Sequence, residues 1–322
     1  MKKRIILCLL TVSLLCPSAH AEDEVLHWVD FNVPYEALQA ALEVDIASQG
    51  NEKALNWIDV LALAAVRSGG NRISVQAVRN AAHELNQNQS PEELLGGQYK
   101  YFAYYRRAYG AVLGGLVGNC AIEKENPDTG EKEWVASYGL KAFSPIAAGY
   151  RYSHCADFGK RRSYGFARPH LGNDLMGALG TPIIAVESGT VEALGWNQYG
   201  GWRIGIRSDD SLRYYYYAHL RKDNPYADGL TVGQHVQAGD VIGFMGRTGY
   251  STRENVDNIE TVHLHFGMQL IFDESQKECD SEIWIDVYPI VRLLSAHRSS
   301  VRRNAETGVW ERIYPYKDLD IE

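Results

Sequence analysis

Short runs of β-branched and aromatic residues, separated by glycine turns, fill the second half of this 322-residue chain. Branched and ring side chains suit a pleated, half-buried surface, so such runs are typical of strands. Their alternation with glycine turns predicts an antiparallel β domain. The predicted strands are Ile183–Val186, Thr190–Leu194, Trp202–Arg207, Leu212–Ala218, Val241–Met245 and His263–Leu270.

The first half of the chain has a helical pattern instead. Pro34 can open a first helix that ends near Gly50, with Leu38, Leu42 and Ile46 on one face. A second predicted helix is capped by Asn51, stops at Gly69-Gly70 and buries Leu55, Ile58, Ala62 and Ala65. A third runs from Ser74 through Leu85. A fourth begins at the capping box Ser90-Pro91-Glu92-Glu93, and a fifth covers Tyr99–Leu116. Solvated helix faces and caps explain Glu36, Glu84 and Glu93 better than a lysozyme-like acid does.

These patterns predict an α+β protein with a helical module before the β domain. The charged, turn-rich segment Glu123–Glu133 is a linker or a hairpin tip, and Asp286–Leu294 predicts a short helix that closes the β domain. The expected division is a signal peptide over 1–21, a helical accessory module over 22–118, a linker over 119–150, the β domain over 151–296 and a peripheral tail over 297–322.

The first 21 residues have the pattern of a secretory signal. Lys2-Lys3-Arg4 precedes the apolar run Ile5–Cys16, and Ala19-His20-Ala21 is a small-residue cleavage site. The apolar run is short of the about 20 residues that span a bilayer, and no later segment is longer, so we expect no stable membrane span after cleavage. An uncleaved anchor is the alternative. Loss of three positive charges changes the net charge from −8 to −11, which argues against nucleic acid as a partner.

Three cysteines remain after the signal, Cys120, Cys155 and Cys279. In an oxidising compartment one disulfide and one free thiol are possible, and Cys155 with Cys279 is the preferred pair because the two flank the β domain. Three reduced thiols are the alternative. No Cys-x-x-Cys spacing is present, so cysteine is not an expected zinc ligand.

Several histidines and one aspartate could form a metal site. His170 and Asp174 are followed about ninety residues later by His263-Leu264-His265 on an apolar strand, and His219 lies between them. Alternate strand residues share a face. His263 and His265 therefore face a groove together while Val262, Leu264 and Phe266 face the core. The same rule places His219 on one face with Tyr215 and Tyr217, and Tyr214, Tyr216 and Ala218 on the other. Two histidines and one carboxylate suit a catalytic zinc, which keeps its fourth position open.

From about Tyr152 to Leu294 the chain resembles the lysostaphin and LytM type of zinc metalloendopeptidase, whose members cut the peptide part of bacterial peptidoglycan. The matching stretches occur in the family's order: His170–Asp174, Gly180–Val186, Gly189–Val191, Tyr217–Leu220, Val232–Gly243, Gly246–Gly249 and His263–Phe266. The resemblance implies a β-sandwich with a central groove, of the duplicated hybrid motif type. It also implies a secreted or envelope-associated enzyme whose partners are peptidoglycan peptides.

The resemblance further implies roles for six residues. His170, Asp174 and His265 would bind one Zn²⁺ per chain, while His219 and His263 would handle protons around the reacting water. Tyr164, six residues before His170, matches a family position whose phenol stabilises the oxyanion.

Three stretches depart from the family's pattern. Residues 251–262 contain an insertion that would lie on the rim of the groove, and Gly267 replaces a glutamate that the family often has. Trp196 and Trp202 could stack on a substrate, or could simply cover a glycine-rich turn.

Two other functions match parts of this sequence. The Val232–Gly243 pattern also occurs in lipoyl and biotinyl carriers, but those need a lysine at the hairpin tip, and Gln237–Asp240 has none. A non-catalytic wall-associated scaffold or activator that keeps the fold and binds a partner protein is the stronger rival. Retention of all five groove residues favours an enzyme over that rival. The sequence does not report which peptidoglycan bond is cut.

Overall fold

The computed structural model of this chain describes residues 25–87, 90–164, 166–277, 279 and 281–320. The predicted signal peptide, 1–21, lies outside them. No helix within the described ranges is long and apolar enough to cross a membrane.

Among the described residues, five α-helices precede the strands and a sixth follows most of them. Their bounds are α1 Tyr35–Ser48, α2 Trp57–Arg67, α3 Val75–Asn86, α4 Pro91–Leu95, α5 Tyr99–Leu113 and α6 Tyr288–Leu294. The Ser74 side chain caps α3, and Ser90 and Glu93 form the predicted capping box of α4. The predictions of α3, α4, α5 and the short α6 are confirmed, although α5 ends three residues early.

Two details of α1 and α2 differ from prediction. Ile46 is 40% exposed, because the buried face of α1 turns toward Ala41 and Asp45. Asp45 is fully buried and accepts hydrogen bonds from the backbone N–H of Trp57 at 2.8 Å and the Tyr138 hydroxyl at 2.7 Å. This carboxylate anchors the start of α2. The side-chain cap of α2 is Asn56, which accepts a hydrogen bond from Ile58 N, so the prediction of Asn51 as the cap is wrong.

The strands follow the predicted order. Their bounds are β1 Val117–Glu125, β2 Lys132–Leu140, β3 Arg161–Tyr164, β4 Phe166–Pro169, β5 Asn173–Met176, β6 Pro182–Ile184, β7 Gly189–Asn197, β8 Gly201–Ser208, β9 Arg213–Ala218, β10 His235–Val236, β11 Val241–Phe244, β12 His263–Leu270, β13 Ile283–Ile285, β14 Val301–Arg303, β15 Trp310–Arg312 and β16 Tyr316–Asp318. Within the described residues every named strand pair is antiparallel, as the glycine-punctuated runs predict.

The largest sheet has seven strands and is built around β12. Its strand order is β10-β7-β8-β9-β12-β13. Strand β5 also pairs with β12, on the same edge of β12 as β13. Side chains of this sheet, of the β6–β11 ribbon and of helices α1, α2 and α5 share one buried core. The helices and the strands are therefore packed against each other, which makes the molecule an α+β fold.

The segment predicted as a linker, 119–150, is folded. Strands β1 and β2 form a hairpin over nine residue pairs with residues 126–131 at its tip, and β16 adds a third strand on the other edge of β1. The predicted peripheral tail, 297–322, thus supplies part of this small sheet and buries Tyr316. Its pairing partner lies nearly two hundred residues away in sequence, beyond the reach of any local pattern.

A buried ion pair joins the last turn of α5 to strand β9. Arg213 is fully buried and donates to Glu187 at 2.8 and 2.9 Å and to the carbonyl of Ala111 at 2.8 Å. Asp210 and the Tyr215 hydroxyl also contact this pair. Helix and sheet therefore meet at a satisfied charge network.

The three cysteines of the described chain are free thiols. Cys120 is buried, Cys279 is half-buried and Cys155 is exposed. The preferred Cys155–Cys279 disulfide is therefore absent, and the alternative of three thiols describes this structure.

Candidate metal centre and groove

The centre of the site is the pairing of β5 with β12. Asp174 and His265 are direct partners in this antiparallel register, which places a carboxylate beside an imidazole. His170 precedes β5 by three residues and approaches the same point. Its Nε2 atom lies 2.9 Å from Asp174 Oδ1 and 3.0 Å from His265 Nδ1, and His265 Nδ1 lies 2.9 Å from the same Oδ1. Two imidazole nitrogens and one carboxylate oxygen thus converge at one point.

This donor set fits a metal ion. Two neutral imidazoles and one carboxylate are ligands that zinc accepts, and tetrahedral bonds of about 2.0–2.1 Å would separate the ligand atoms by about 3.3 Å. The atoms here are slightly closer than that. Burial lowers the pKa of the His265 imidazole, against the opposing effect of Asp174. A neutral ring with an available lone pair is the form that binds metal.

The charge of Asp174 is maintained by its neighbours. Burial alone would raise the pKa of this carboxyl, but its close contacts with the imidazoles of His170 and His265 outweigh that effect and hold the pKa well below its usual range. Arg162 on β3 donates to the other oxygen, Oδ2, at 3.1 Å. Asp174 therefore stays ionised and keeps Oδ1 directed at the two histidines.

A second carboxylate supports His170. Asp157 Oδ1 lies 3.2 Å from His170 Nδ1, the ring nitrogen that faces away from the convergence point. Arg162 also donates to the other oxygen of Asp157. This is a close approach of the two groups and not a hydrogen bond, because Asp157 Oδ1 has no hydrogen-bond partner in the described part of the chain. Sequence reasoning missed Asp157 and Arg162, because neither lies in a recognisable motif.

His219 enters the groove by a local break in strand geometry. Strand β9 ends at Ala218, and His219 has a φ of 62°, in the left-handed region that non-glycine residues seldom adopt. Alternation along the strand predicts that His219 shares a face with Tyr215 and Tyr217. The structure differs, because the turn rotates the imidazole to the face of Tyr216 and His265.

The imidazoles of His219 and His263 have similar backbone anchors. His219 Nδ1 donates to the carbonyl of Thr248, and His263 Nδ1 donates to that of Thr261, both at 2.9 Å. Their ring centroids are 4.7 Å apart. Each anchor leaves Nε2 as the nitrogen without a proton in the neutral ring. Burial lowers the pKa of His219 well below its usual value, so this ring is neutral at pH 7.

These five residues line one groove of about 660 Å³. Its floor is the face of the main sheet that carries Tyr214, Tyr216 and Ala218, opposite to the face on which alternation alone places His219. Residues 259–261 of the insertion form part of the rim. The groove therefore has the histidine cluster inside it and part of the insertion on its rim.

A sequence profile of peptidase family M23 matches residues 168–278, the segment that contains the whole cluster. Over 130 residues the chain is 41% identical to the L-Ala–D-Glu endopeptidase of Bacillus subtilis (strain 168). The chain carries a peptidase family M23 domain. That match covers 40% of this chain and 38% of the relative.

The M23 domain is also similar to lysostaphin of Staphylococcus simulans, with 40% identity over 98 residues. The match covers 30% of this chain and 17% of lysostaphin, so the chain spans less than half the length of either curated relative. A crystal structure of a LytM protein from Ruminococcus gnavus, described as a candidate glycyl-glycine endopeptidase, aligns with a TM-score of 0.54. That alignment covers 84% of this chain and 91% of the other at 24% identity, and it concerns the fold alone.

Within the M23 domain, five of the six predicted site residues lie together around the groove. The sixth, Tyr164, ends β3, where it pairs with Phe166, and its side chain lies outside the described residues.

Trp196 and Trp202 pack edge to face at 5.7 Å, and Trp202 Nε1 donates to Asn255 in the insertion. Neither ring lines the groove. Gly267 has a steric reason, since a Cβ there would lie 2.8 Å from the Trp284 ring that borders the groove.

Proposed function

We propose that this chain is a secreted, zinc-dependent endopeptidase that hydrolyses peptide cross-links or stem peptides of bacterial peptidoglycan. The observation that carries the proposal is the convergence of His170 Nε2, Asp174 Oδ1 and His265 Nδ1 within 3.0 Å beside two further imidazoles. The names of the relatives support the substrate class, since one is an L-Ala–D-Glu endopeptidase and another a glycyl-glycine endopeptidase.

In this proposal His170, Asp174 and His265 hold the zinc. When bound there, zinc polarises the scissile carbonyl and lowers the pKa of a water to about 7. Asp157 orients His170, and Arg162 orients both carboxylates. These contacts keep the three ligand atoms at one point before any ion arrives, which reduces the reorganisation that binding would require.

His219 and His263 are proposed to move protons. Each has its Nδ1 proton fixed by a backbone carbonyl, so Nε2 can accept a proton from the attacking water and later return it to the leaving amine. The lowered pKa of His219 keeps it in the accepting form at neutral pH. Tyr164 is proposed to stabilise the oxyanion.

The rest of the molecule is assigned in the same proposal. The main sheet and the β6–β11 ribbon form the sandwich that the resemblance implies, and helices α1–α5 form an accessory module that supports it. A non-catalytic scaffold is disfavoured, because sheet stability requires neither the cluster of five polar groups nor the left-handed backbone of His219.

The test uses the purified protein and purified cell wall. We expect about one zinc per chain and release of new amino groups from the wall, and mass spectrometry of the fragments will identify the bond. Dialysis against a chelator should abolish release, and added zinc should restore it. Stoichiometric zinc without any new amino group would favour the scaffold instead.

A further inference from the structure

Four cationic side chains line the groove of a chain whose net charge is −8: Arg162, Arg168, Arg203 and Lys277. Two of them have a carboxylate partner. Arg162 contacts Asp157 and Asp174, and Lys277 contacts Glu192. Arg168 and Arg203 have no carboxylate partner among the described residues.

Arg203 lies on β8 at the floor of the groove. Its Nε atom is buried without a hydrogen-bond partner, and no carboxylate of the described residues lies within 4 Å of its guanidinium. A buried N–H that lacks an acceptor destabilises the folded state unless something else supplies one. Arg203 therefore needs an acceptor that the described part of the chain does not provide.

Arg168 approaches from β4 and is held by two tyrosines. Its Nη2 atom donates to the Tyr250 hydroxyl at 2.9 Å, and the guanidinium lies over the rings of Tyr199 and Tyr250 at 4.9 and 5.3 Å. As with Arg203, no described carboxylate lies within 4 Å. The stacking fixes the guanidinium plane, which prepares it for a planar anion.

Both arginines share the groove with Tyr216 and the histidine cluster. The Tyr216 ring is 6.0 Å from that of His265. In the β8–β9 register Tyr216 pairs with Gly205, two residues along β8 from Arg203, so alternation places Arg203 and Tyr216 on the same face of the sheet. Arg168 and Arg203 both line the groove that contains His265.

The remaining carboxylates of the groove do not occupy this position. Glu260 is exposed on the rim, and Glu282 accepts a hydrogen bond from Trp284 Nε1 at 2.8 Å. The described groove thus offers two cations without a carboxylate partner.

We propose that Arg203 and Arg168 bind a carboxylate of the substrate on the residue that adjoins the scissile bond. This carboxylate site selects acidic stem peptides over neutral bridges such as oligoglycine. The inference rests on the proposed function and adds its substrate class. A charge-assisted hydrogen bond to a buried guanidinium should give the acidic peptide an advantage of about 10- to 100-fold in kcat/KM.

The experiment compares two synthetic stem peptides that differ in one group. One carries a free carboxylate on the residue that adjoins the scissile bond, and the other carries a carboxamide of the same shape. We expect the zinc-loaded enzyme to prefer the carboxylate peptide by at least about tenfold. Arg203→Gln should bring the ratio close to one, mainly through KM for the acidic peptide, and Arg203→Lys should retain part of the preference because it keeps the charge.

The controls separate this inference from the proposed function. Arg302→Gln removes an exposed arginine of the tail and should keep the wild-type ratio. Equal cleavage of both peptides by the wild-type enzyme overturns the carboxylate site and leaves the endopeptidase intact. Cleavage of neither peptide nor purified wall overturns the proposed function and this inference together. If Arg203→Gln does not fold, the wild-type ratio and Arg168→Gln decide the question.

Discussion

At the scale of single residues, the direction of each imidazole follows from what its other nitrogen contacts. His219 and His263 donate Nδ1 protons to backbone carbonyls, whereas His170 has the Asp157 carboxylate beside its Nδ1. His265 turns Nδ1 itself toward Asp174. The cluster therefore contains two kinds of histidine, which mutation can distinguish.

The first prediction separates zinc ligands from proton carriers. His265→Ala or Asp174→Ala removes a ligand atom, so zinc and activity should both be lost, and thermal stability should fall because bound metal favours the folded state. His219→Ala or His263→Ala leaves the three ligand atoms in place. We expect these variants to keep about one zinc per chain and to hydrolyse wall peptides roughly 10²- to 10⁴-fold more slowly.

Metal analysis and wall hydrolysis on the same protein samples check this assignment. Loss of zinc from His263→Ala together with its retention in His265→Ala would show that the two histidines are exchanged. Full activity in all four variants would place the catalytic site elsewhere.

At the scale of elements, the insertion between Gly249 and His263 is anchored to its neighbours and borders the groove. Asn255 accepts hydrogen bonds from Trp202 Nε1 and from the backbone of Asp223, each at 2.9 Å, so the loop has a fixed path over β8. Its last residues, 259–261, border the groove, and the Thr261 carbonyl holds His263.

The second prediction shortens this insertion. Replacement of residues 252–260 by a two-residue turn, with Thr261 kept, should change which wall peptides are cut and leave zinc near one per chain. The measurement is the fragment profile by mass spectrometry. Arg253→Ala, at an exposed position of the loop, is the matched control and should give wild-type products. Unchanged products from the shortened loop would make it an ordinary surface loop.

The third prediction concerns the contact of α5 with β9. Arg213→Met leaves the buried carboxylate of Glu187 without its partner, so we expect a loss of about 3–5 kcal/mol in the free energy of unfolding. The double variant Arg213→Met with Glu187→Met removes both charges and should be markedly more stable than the single variant. Urea denaturation of the three proteins gives this comparison, and additive losses in the double variant would contradict it.

At the scale of the whole molecule, the two ends of the described chain close around the β domain. The tail adds β16 to the β1–β2 hairpin, and His297 stacks on Phe143 at 4.3 Å while its Nδ1 atom donates to the Ala142 carbonyl at 2.7 Å. These contacts lie away from the groove, so they can be tested without altering the metal site.

The fourth prediction uses the titration of His297. Burial lowers its pKa below the ordinary 6.5, so the unfolded chain binds the proton more tightly than the folded one. Its contribution to stability is therefore complete above about pH 6.5 and is lost as the pH falls toward the folded pKa. His297→Gln should make the free energy of unfolding less dependent on pH in this range, as measured by urea denaturation.

His27→Gln, which changes an exposed histidine, is the control for this experiment. The histidines of the groove contribute equally to all three proteins, so the difference between the curves isolates His297. A wild-type slope in His297→Gln would be the contrary result.

The fifth prediction concerns export. The basic and apolar leader with Ala19-His20-Ala21 predicts a mature chain that begins at Glu22, outside the cytoplasmic membrane. Intact-mass analysis of the protein recovered from the envelope checks this, and recovery of a chain that retains Met1 would refute cleavage.

The periodic and local features of this protein can be read from the order of its residues alone. The strands from β6 to β12, the caps Ser74 and Ser90, and the inward face of Leu264 and Phe266 follow from turn chemistry and from alternation of apolar residues. The metal-site residues were found because their spacing and order form a pattern that can be compared with a family.

Features that depend on distant partners or on a single backbone angle appear only in the folded molecule. His219 reaches the groove through a φ of 62°, which no alternation rule contains. Asp157 and Arg203 have meaning only beside the groups that folding brings near them, and β16 finds β1 across nearly the whole β domain. Local propensity acts over a few residues, whereas these contacts depend on how the completed sheet and core place separate elements.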